Sequence, residues 1–177
     1  SVEFAGNLFG GDRSFVKYLG NSSWFYPVFW ETSVMLHGTI GYAEGTEGKD
    51  LPIDERFFVG GINTVRGFDP RSLGSRDING DIIGGDAELI FNVEYLFPLI
   101  KEAGLRGVVF FDAGNAYNIN KVVNAESDDF GKLRTGAGYG VRWYSPIGPL
   151  RLEWGYNLEP KPGEKRSRWE FSIGTFF

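Results

Sequence analysis

Several stretches of this chain alternate apolar and polar residues one by one, and this pattern constrains the fold more than any other feature. In residues 86–97 the odd positions are apolar, whereas the even positions include three acids and an amide. Successive side chains of a β-strand point to opposite faces, so the alternation predicts a strand with one apolar face. Similar stretches occur at 2–5, 14–26, 30–42, 105–117, 132–144, 150–157 and 168–177. The chain is therefore predicted to be all-β, with about eight antiparallel strands.

The lengths of the connections indicate where such a sheet would reside. Short connections at 98–104 and 145–149 alternate with longer ones at 118–131 and 158–167. Short turns at one end and long loops at the other are typical of a transmembrane β-barrel, and aromatic residues near strand ends match its interfacial girdles. The alternative is a soluble sandwich or lipocalin-like barrel, whose apolar face points inward. Charges, glycines and amides at many alternate positions suit a wet lumen, which favours the barrel in a lipid bilayer.

The composition excludes several classes of protein. The 177 residues are enough for one domain, and they include no cysteine and one histidine, which excludes thiol chemistry and multi-histidine metal centres. With a net charge of -5 and dispersed Lys and Arg, there is no case for nucleic-acid binding. No apolar run reaches the roughly 18 residues of a transmembrane helix. No signal peptide is visible and the chain starts abruptly in strand-like sequence, so we expect a mature fragment. We also expect neither a metal site nor a cofactor.

A long segment, residues 44–85, interrupts the alternation. It contains the apolar pair Phe57 and Phe58, several glycines and Arg66, which stands between Val65 and Gly67. Loops of roughly 40 residues are unusual in compact domains and are mostly functional or disordered. The apolar pair and the glycines predict a loop that folds back and packs.

Four motifs occur along the chain in this order: Val65–Phe68, Phe111–Asn115, Tyr144–Leu150 and Trp169–Phe177. Together they resemble the C-terminal half of the barrel in the BamA family of outer-membrane protein assembly factors, closely from about Leu51 onward. The resemblance implies the last eight strands of a 16-stranded barrel in the bacterial cell outer membrane. It also implies that residues 1–177 contain neither the first half of the barrel nor the periplasmic POTRA domains.

The resemblance further implies roles for residues of the long loop. In this family the sixth extracellular loop turns back into the lumen, and its tip corresponds here to the motif Val65, Arg66, Gly67 and Phe68. The tip arginine pairs with inner-wall acids, which makes Asp112 the first candidate and Glu94 the second. The strand alternation independently places both acids on the inward face, and guanidinium groups bind carboxylates through charge-assisted, often two-pronged hydrogen bonds.

Turn geometry leaves the acidic partner open. If the turn after the strand at 86–97 centres near residue 100 or 101, Asp112 lies opposite residues 88–90. Asp112 and Glu94 would then be about 13 Å apart along the strand. A bulge or a shifted turn could bring them together, or Glu88 could replace Glu94.

Three glycines occupy successive inward positions, Gly136, Gly138 and Gly140. Their spacing imitates a nucleotide-binding motif, but no helix follows it. Glycine at these positions clears space on the wall, so we expect the loop backbone to pack there.

The last predicted strand resembles the β-signal by which barrel substrates are recognised, through Phe171, Ile173, Gly174 and Phe177. An ordinary final barrel strand would have the same pattern, and the two interpretations are compatible. In the family this strand meets the first strand at a weak seam. An unpaired edge is a template for strand addition, so seam opening would let nascent strands pair while the bilayer is distorted.

Three functional hypotheses follow from these features. The resemblance implies a non-enzymatic assembly factor that acts on unfolded outer-membrane proteins together with POTRA domains and accessory lipoproteins. The alternative is a two-partner secretion transporter pore, which shares the arginine loop and the Asp112 motif. An outer-membrane lipase is disfavoured because His37 has no Gly-x-Ser-x-Gly partner, and a calcium loop at Asp77 is disfavoured because Ile82 stands where glycine is needed.

Eight strands with two open edges cannot sit unpaired in lipid. We therefore expect the fragment to close on itself or to pair with a second copy. A small closed barrel is filled by side chains, so closure would displace the long loop.

Overall fold

The computed structural model describes residues 2–5, 15–46, 50–120, 131–146 and 148–174, with side chains from Phe15 onward. These residues form one antiparallel sheet in which each strand pairs with its sequence neighbours. The strands are β1 (Val2–Ala5), β2 (Phe15–Pro27), β3 (Ser33–Gly45), β4 (Ala87–Ile100), β5 (Leu105–Tyr117), β6 (Arg134–Ser145), β7 (Gly148–Asn157) and β8 (Ser167–Ile173). The predicted all-β, eight-stranded architecture is confirmed.

The two faces of the sheet follow the alternation in the sequence. Large apolar side chains such as Phe91 and Trp169 are exposed on the outer face, whereas Asn92, Glu94 and Asp112 are buried on the inner face. This arrangement inverts that of a soluble barrel, since the wide apolar surface points outward. It is the arrangement expected of a wall between lipid and a polar lumen. Within the described ranges, no helix is long and apolar enough to cross a membrane.

The turn of the β4–β5 hairpin lies at a different position from the one considered in the sequence analysis. The register shifts between Pro98 and Ile100, and Asp112 lies opposite Asn92 rather than opposite residues 88–90. Glu94 is therefore only two positions along β4 from the residue that faces Asp112, which is about 7 Å. The turn therefore lies further along the chain than residue 101, and this position of the turn brings the two acids within reach of one side chain.

The segment between β3 and β4 packs against the inner face of the sheet. Its apolar side chains form a core with residues of β2 to β5; the buried members are Phe15, Ala43, Leu51, Phe57, Val59, Val65, Phe68, Leu73, Ile90 and Ala116. Short bridges within the segment, such as Val59 to Leu73 and Phe57 to Gly85, hold it in a compact form. In the described part, 50–86, the segment is thus a packed structure built on the wall, although it has little regular secondary structure.

The sheet of the described residues is open, since β1 and β8 lie at its two ends and do not pair with each other. The loop occupies the inner face of this open sheet. Closure as eight strands and pairing with a second copy both stay predictions.

The packing of the loop predicts the effect of removing one of its apolar anchors. Leu73 is 3% exposed, so Leu73→Ala should leave a cavity and weaken docking of the loop by about 2–5 kcal/mol. Native-state proteolysis of the loop measures this as faster cleavage. Ile78→Ala is the matched control, because Ile78 lies in the same loop but is 79% exposed, and it should change the rate little. Equal cleavage of both variants would contradict the packed loop.

Candidate functional site

The loop tip lies between β5 and β7 on the inner wall. Val65 is fully buried, and its Cγ2 lies only 2.9 Å from where a Cβ on Gly114 of β5 would sit. Gly67 has a φ of +92°, and a Cβ there would lie 2.9 Å from the backbone carbon of Tyr156 on β7. Glycine is needed at this position on both grounds, since other residues rarely adopt this φ and have no room. The bend at Gly67 presents the preceding arginine to the wall.

Arg66 binds Asp112 through three hydrogen bonds. Its Nε donates to Oδ2 at 2.7 Å, its Nη2 donates to Oδ1 at 2.6 Å, and its backbone N–H donates to Oδ2 at 3.0 Å. Both residues are buried. This is the two-pronged geometry that a guanidinium provides and an ammonium does not. The guanidinium also lies over the ring of Phe110, with Cζ 3.6 Å from the ring centroid. A cation in that position is attracted to the face of the ring.

The remaining amine of Arg66 joins two further acids. Nη1 donates to Glu94 Oε1 at 2.6 Å and to Glu153 Oε2 at 2.9 Å. Arg142 on β6 completes the cluster: it donates to both oxygens of Glu94, at 2.6 and 2.8 Å, and to Glu153 Oε1 at 2.9 Å. We call Arg66, Arg142, Glu94, Asp112 and Glu153 the inner charge cluster. Each carboxylate in it receives hydrogen bonds from at least one guanidinium.

Neighbouring groups balance the cluster and attach more of the loop to it. Three carboxylates face two guanidinium groups, and Arg151 adds a third positive charge two residues before Glu153 on the same face of β7. Arg151 Nη2 donates to the carbonyl oxygen of Ile62 and, at 2.7 Å, to Asn63 Oδ1, both in the loop. A buried charge is tolerated when it is paired and hydrogen-bonded, and these contacts meet that condition.

Asn92 ties the loop to the wall beside Asp112. Its Nδ2 donates to the carbonyl oxygen of Thr64 at 2.7 Å and to Asp112 Oδ1 at 2.8 Å. Asp112 is therefore held by the wall as well as by the loop. Its orientation does not depend on Arg66 alone.

The structure does not place Glu88, the third candidate partner, beside Arg66. It lies opposite Ala116, whereas Asp112 lies opposite Asn92, four positions further along β4. That separation is roughly 13 Å along the strand, too far to share one guanidinium. Of the three acids considered from the sequence, the structure brings Asp112 and Glu94 to Arg66.

The glycine wall also differs from the expectation. A Cβ on Gly136 would collide with the carbonyl oxygen of Arg66, as expected for a position under the loop. Gly138 instead makes room for the ring of Phe110, and a Cβ on Gly140 would lie 2.6 Å from Glu153 Cγ. The second glycine under the loop is Gly155 on β7, where a Cβ would lie 2.8 Å from Gly67 Cα. The loop crosses β6 and β7 side by side, rather than running along β6.

Sequence reasoning missed Arg142, Glu153 and Gly155 as members of the site. All three are on the inward face of strands whose alternation was visible. What brings them to the site is the long-range register of β4, β6 and β7, which places inward charges of different strands at one level. No local pattern in the sequence reports that register.

A second group of contacts holds the other side of the loop tip. Arg134 lies with its Cζ 5.0 Å from the ring centroid of Phe68, and it donates to both oxygens of Glu164, at 3.1 and 2.6 Å. Arg168 on β8 donates to the carbonyl oxygen of Phe68 at 3.2 Å and to Asp69. The loop tip therefore contacts β8 and the β7–β8 connection as well as the inner charge cluster.

The candidate C-terminal signal residues lie on the outer side of β8. Phe171 and Ile173 are exposed on the apolar face, and Gly174 has a φ of +122°. Phe177 lies outside the described residues.

The inner charge cluster can hold chain segments together but offers no evident bond chemistry. Its members are carboxylates and guanidinium groups bound to one another, with amides at its margin. The arrangement suits a structural connection between five segments of the chain.

The fit between loop and wall predicts a strong effect of one added methyl group. Gly155→Ala should displace the loop tip, since the new Cβ would overlap the backbone of Gly67. Faster proteolysis of the loop should follow. Gly38→Ala is the control, because the nearest atom to a Cβ there is Ile90 O at 4.0 Å. If both variants kept the loop protected, the close approach of loop and wall would be wrong.

The Glu164 contact predicts a pH dependence. Burial alone raises the pKa of Glu164, but hydrogen bonds from Arg134, the Lys161 N–H and Asn157 outweigh it and lower the pKa from 4.5 to about 2. A lowered folded-state pKa stabilises the folded form above the unfolded value, so this contribution is lost as pH falls from about 4.5 to 2. The stability difference between the wild type and Glu164→Gln should shrink over that window in urea titrations. A difference independent of pH there would contradict the assignment.

Comparison with known proteins identifies one family. Residues 1–177 match the Omp85 superfamily domain. The chain is 38% identical to the outer membrane protein assembly factor BamA of Nitratidesulfovibrio vulgaris, over 99% of this chain and 22% of that protein. It is 32% identical to BamA of Neisseria meningitidis, over 95% of this chain and 24% of that protein. The chain thus spans about a quarter or less of the curated relatives it matches.

A solved structure shows the same fold. The crystal structure of BamA from Haemophilus ducreyi lacking POTRA domains 1-3 superposes with a TM-score of 0.78 at 25% identity, over 93% of this chain and 35% of that one. The outward apolar face described above is the lipid-facing surface of such a barrel. The chain belongs to the Omp85 superfamily and is part of a BamA-like β-barrel of the bacterial outer membrane.

Proposed function

We propose that this chain forms the C-terminal part of a barrel that assembles and inserts other outer-membrane proteins. The relatives from Nitratidesulfovibrio vulgaris and Neisseria meningitidis are named assembly factors, which supports this assignment over the secretion pore considered from the sequence. Because the chain spans only part of these proteins, the activity of the whole protein belongs to the proposal.

The inner charge cluster is the observation that carries the mechanism. Through Arg66 it connects the loop to β4, β5 and β7, and through Arg142 it also includes β6. Removing one partner from such a cluster leaves buried charge unpaired, which is strongly destabilising. The proposed role of the loop is an internal strut that keeps the late strands in register while the barrel changes shape elsewhere.

The open edge supplies the proposed working surface. A strand at an opened barrel seam presents unpaired N–H and C=O groups to an extended polypeptide, and β8 is the last strand of the described sheet. Unfolded outer-membrane proteins would add strands at this edge, and the surrounding bilayer would be distorted by the barrel. No covalent step is involved, so the protein acts without being an enzyme. Accessory lipoproteins and POTRA domains belong to the same proposal as partners.

Replacing Arg66 in the full-length protein tests the proposal. Arg66→Ala should destabilise the barrel by roughly 3–5 kcal/mol, because three buried carboxylates lose a shared cation. Arg66→Lys should also impair function, since an ammonium cannot reproduce the two-pronged contact with Asp112. The measurements are urea denaturation of the folded barrel and outer-membrane protein levels in cells that depend on the variant.

Arg106→Ala is the matched control, because Arg106 lies on β5 like Asp112 but is exposed. It should leave both barrel stability and outer-membrane protein levels unchanged. If Arg66→Ala behaved like this control, the strut model would be wrong. If Arg66→Ala destabilised the barrel while outer-membrane protein levels stayed normal, the loop would be structural only and the assembly mechanism would need another element.

A further inference from the structure

The connection between β2 and β3 exposes a group of apolar side chains. Val28, Phe29 and Trp30 are 47%, 56% and 85% exposed. The neighbouring β4–β5 connection, residues 101–104, reads Lys-Glu-Ala-Gly and contains no large apolar side chain. β2 and β3 remain paired directly up to the turn, so the turn is internal to the sheet. A contiguous exposed apolar group in a short connection indicates a contact surface.

The backbone of this turn is poorly suited to the residues that it contains. Trp30 and Glu31 have φ angles of 50° and 60°. The Thr32 N–H closes the turn by donating to the carbonyl oxygen of Phe29 at 3.0 Å. Two-residue hairpin turns with two positive φ angles favour Asn, Asp and Gly. A bulky side chain in the left-handed region is strained, and such strain is found mostly where the side chain has a function. Trp30 is therefore better explained by what its indole contacts than by the needs of the turn.

The turn has an apolar side and a charged side. The rings of Phe29 and Trp30 meet edge to face, with their centroids 5.1 Å apart. Glu31 accepts a hydrogen bond from Lys101 Nζ at 2.7 Å, and both charged side chains are exposed. Aromatic rings next to solvated charges are typical of a surface that lies between an apolar medium and water.

The apolar side of the turn continues the outer face of the sheet. Trp24 and Tyr26 of β2 are exposed on that face, with their ring centroids 6.4 Å apart. Tyr26 lies opposite Val34, which lies opposite Tyr95, so an apolar row crosses β2 to β4 next to the turn. β3 runs from this turn to the long loop, which places the turn at the other end of the sheet from the loop. Short turns at that end face the periplasm in outer-membrane barrels.

We propose that the β2–β3 turn is an interfacial anchor, in which Phe29 and Trp30 lie among the lipid headgroups of the periplasmic leaflet. Aromatic rings with a polar handle are enriched in this zone, where the indole N–H finds headgroup oxygens as acceptors. Glu31 and Lys101 remain in water. The 101–104 turn carries no comparable rings, so the anchor fixes the depth of the wall in the bilayer locally at β2 and β3. Continuity with the lipid-facing surface favours lipid over a protein domain as the occupant.

Depth-dependent quenching in the full-length protein tests the anchor. The 177 residues contain no cysteine, so Phe29→Cys gives this chain one thiol for an environment-sensitive fluorophore, with any cysteine elsewhere in the protein replaced by serine. The protein is folded into phosphatidylcholine vesicles whose lipids carry bromine, a quencher, at shallow or at deep acyl positions. The emission should shift to shorter wavelength, and shallow bromines should cause the greatest loss of fluorescence. Glu102→Cys is the matched control, since Glu102 is exposed in the neighbouring turn, and its probe should report water and escape quenching.

Variants of Trp30 separate anchoring from folding. Trp30→Asn introduces a residue that suits the left-handed backbone, so the barrel should keep its stability in urea titrations. The probe at position 29 should nevertheless lose its quenching by shallow bromines. Trp30→Tyr keeps an aromatic ring with a polar handle and should retain that quenching.

Three outcomes would overturn the inference. Aqueous emission without quenching at position 29 would place the turn outside the bilayer. Emission at shorter wavelength without lipid quenching would mean that another protein segment, such as a periplasmic domain, covers the turn. Equal quenching in the wild type and in Trp30→Asn would mean that the indole does not anchor the turn. These outcomes leave the proposed assembly function untouched, since outer-membrane protein levels in cells measure it separately.

Discussion

The placement of one buried guanidinium governs the rest of this structure. Arg66 lies in a loop, and the three acids that it binds lie on β4, β5 and β7. Charges of this kind are stable away from water only when paired and hydrogen-bonded, so the loop tip and the three strands depend on one another for position. Asn92, Phe110 and Arg142 reinforce the same point, through hydrogen bonds and a contact with the face of a ring. The loop is consequently as much a part of the wall as the strands are.

The two faces of the sheet differ in the kind of contact that they make. The outer face presents large apolar side chains to lipid, while buried charged residues such as Glu94, Asp112 and Arg142 lie on the inner face. Apolar contact with lipid is tolerant of sequence, whereas a buried polar network must be satisfied group by group. The described part of the loop packs against this inner face. This division gives a barrel wall that can adapt to the bilayer while its interior register stays defined.

The contacts of the loop extend to β8, the last strand of the described sheet. Arg168 reaches back to Phe68 and Asp69. One loop therefore contacts the wall through Arg66 and the last described strand through Arg168.

The sequence by itself determined the strands, their inward and outward faces, the folded-back loop and the pairing candidates Asp112 and Glu94. These follow from a period of two and from recognisable motifs, which are local properties. Tertiary structure decided the register of the β4–β5 hairpin, in which Asp112 faces Asn92, so that Glu94 rather than Glu88 reaches Arg66. It also decided that Arg142 and Glu153 join the cluster and that Gly155 replaces Gly138 and Gly140 under the loop. The physical reason is register: a shift of a few residues between strands moves side chains by several ångströms without changing their alternation.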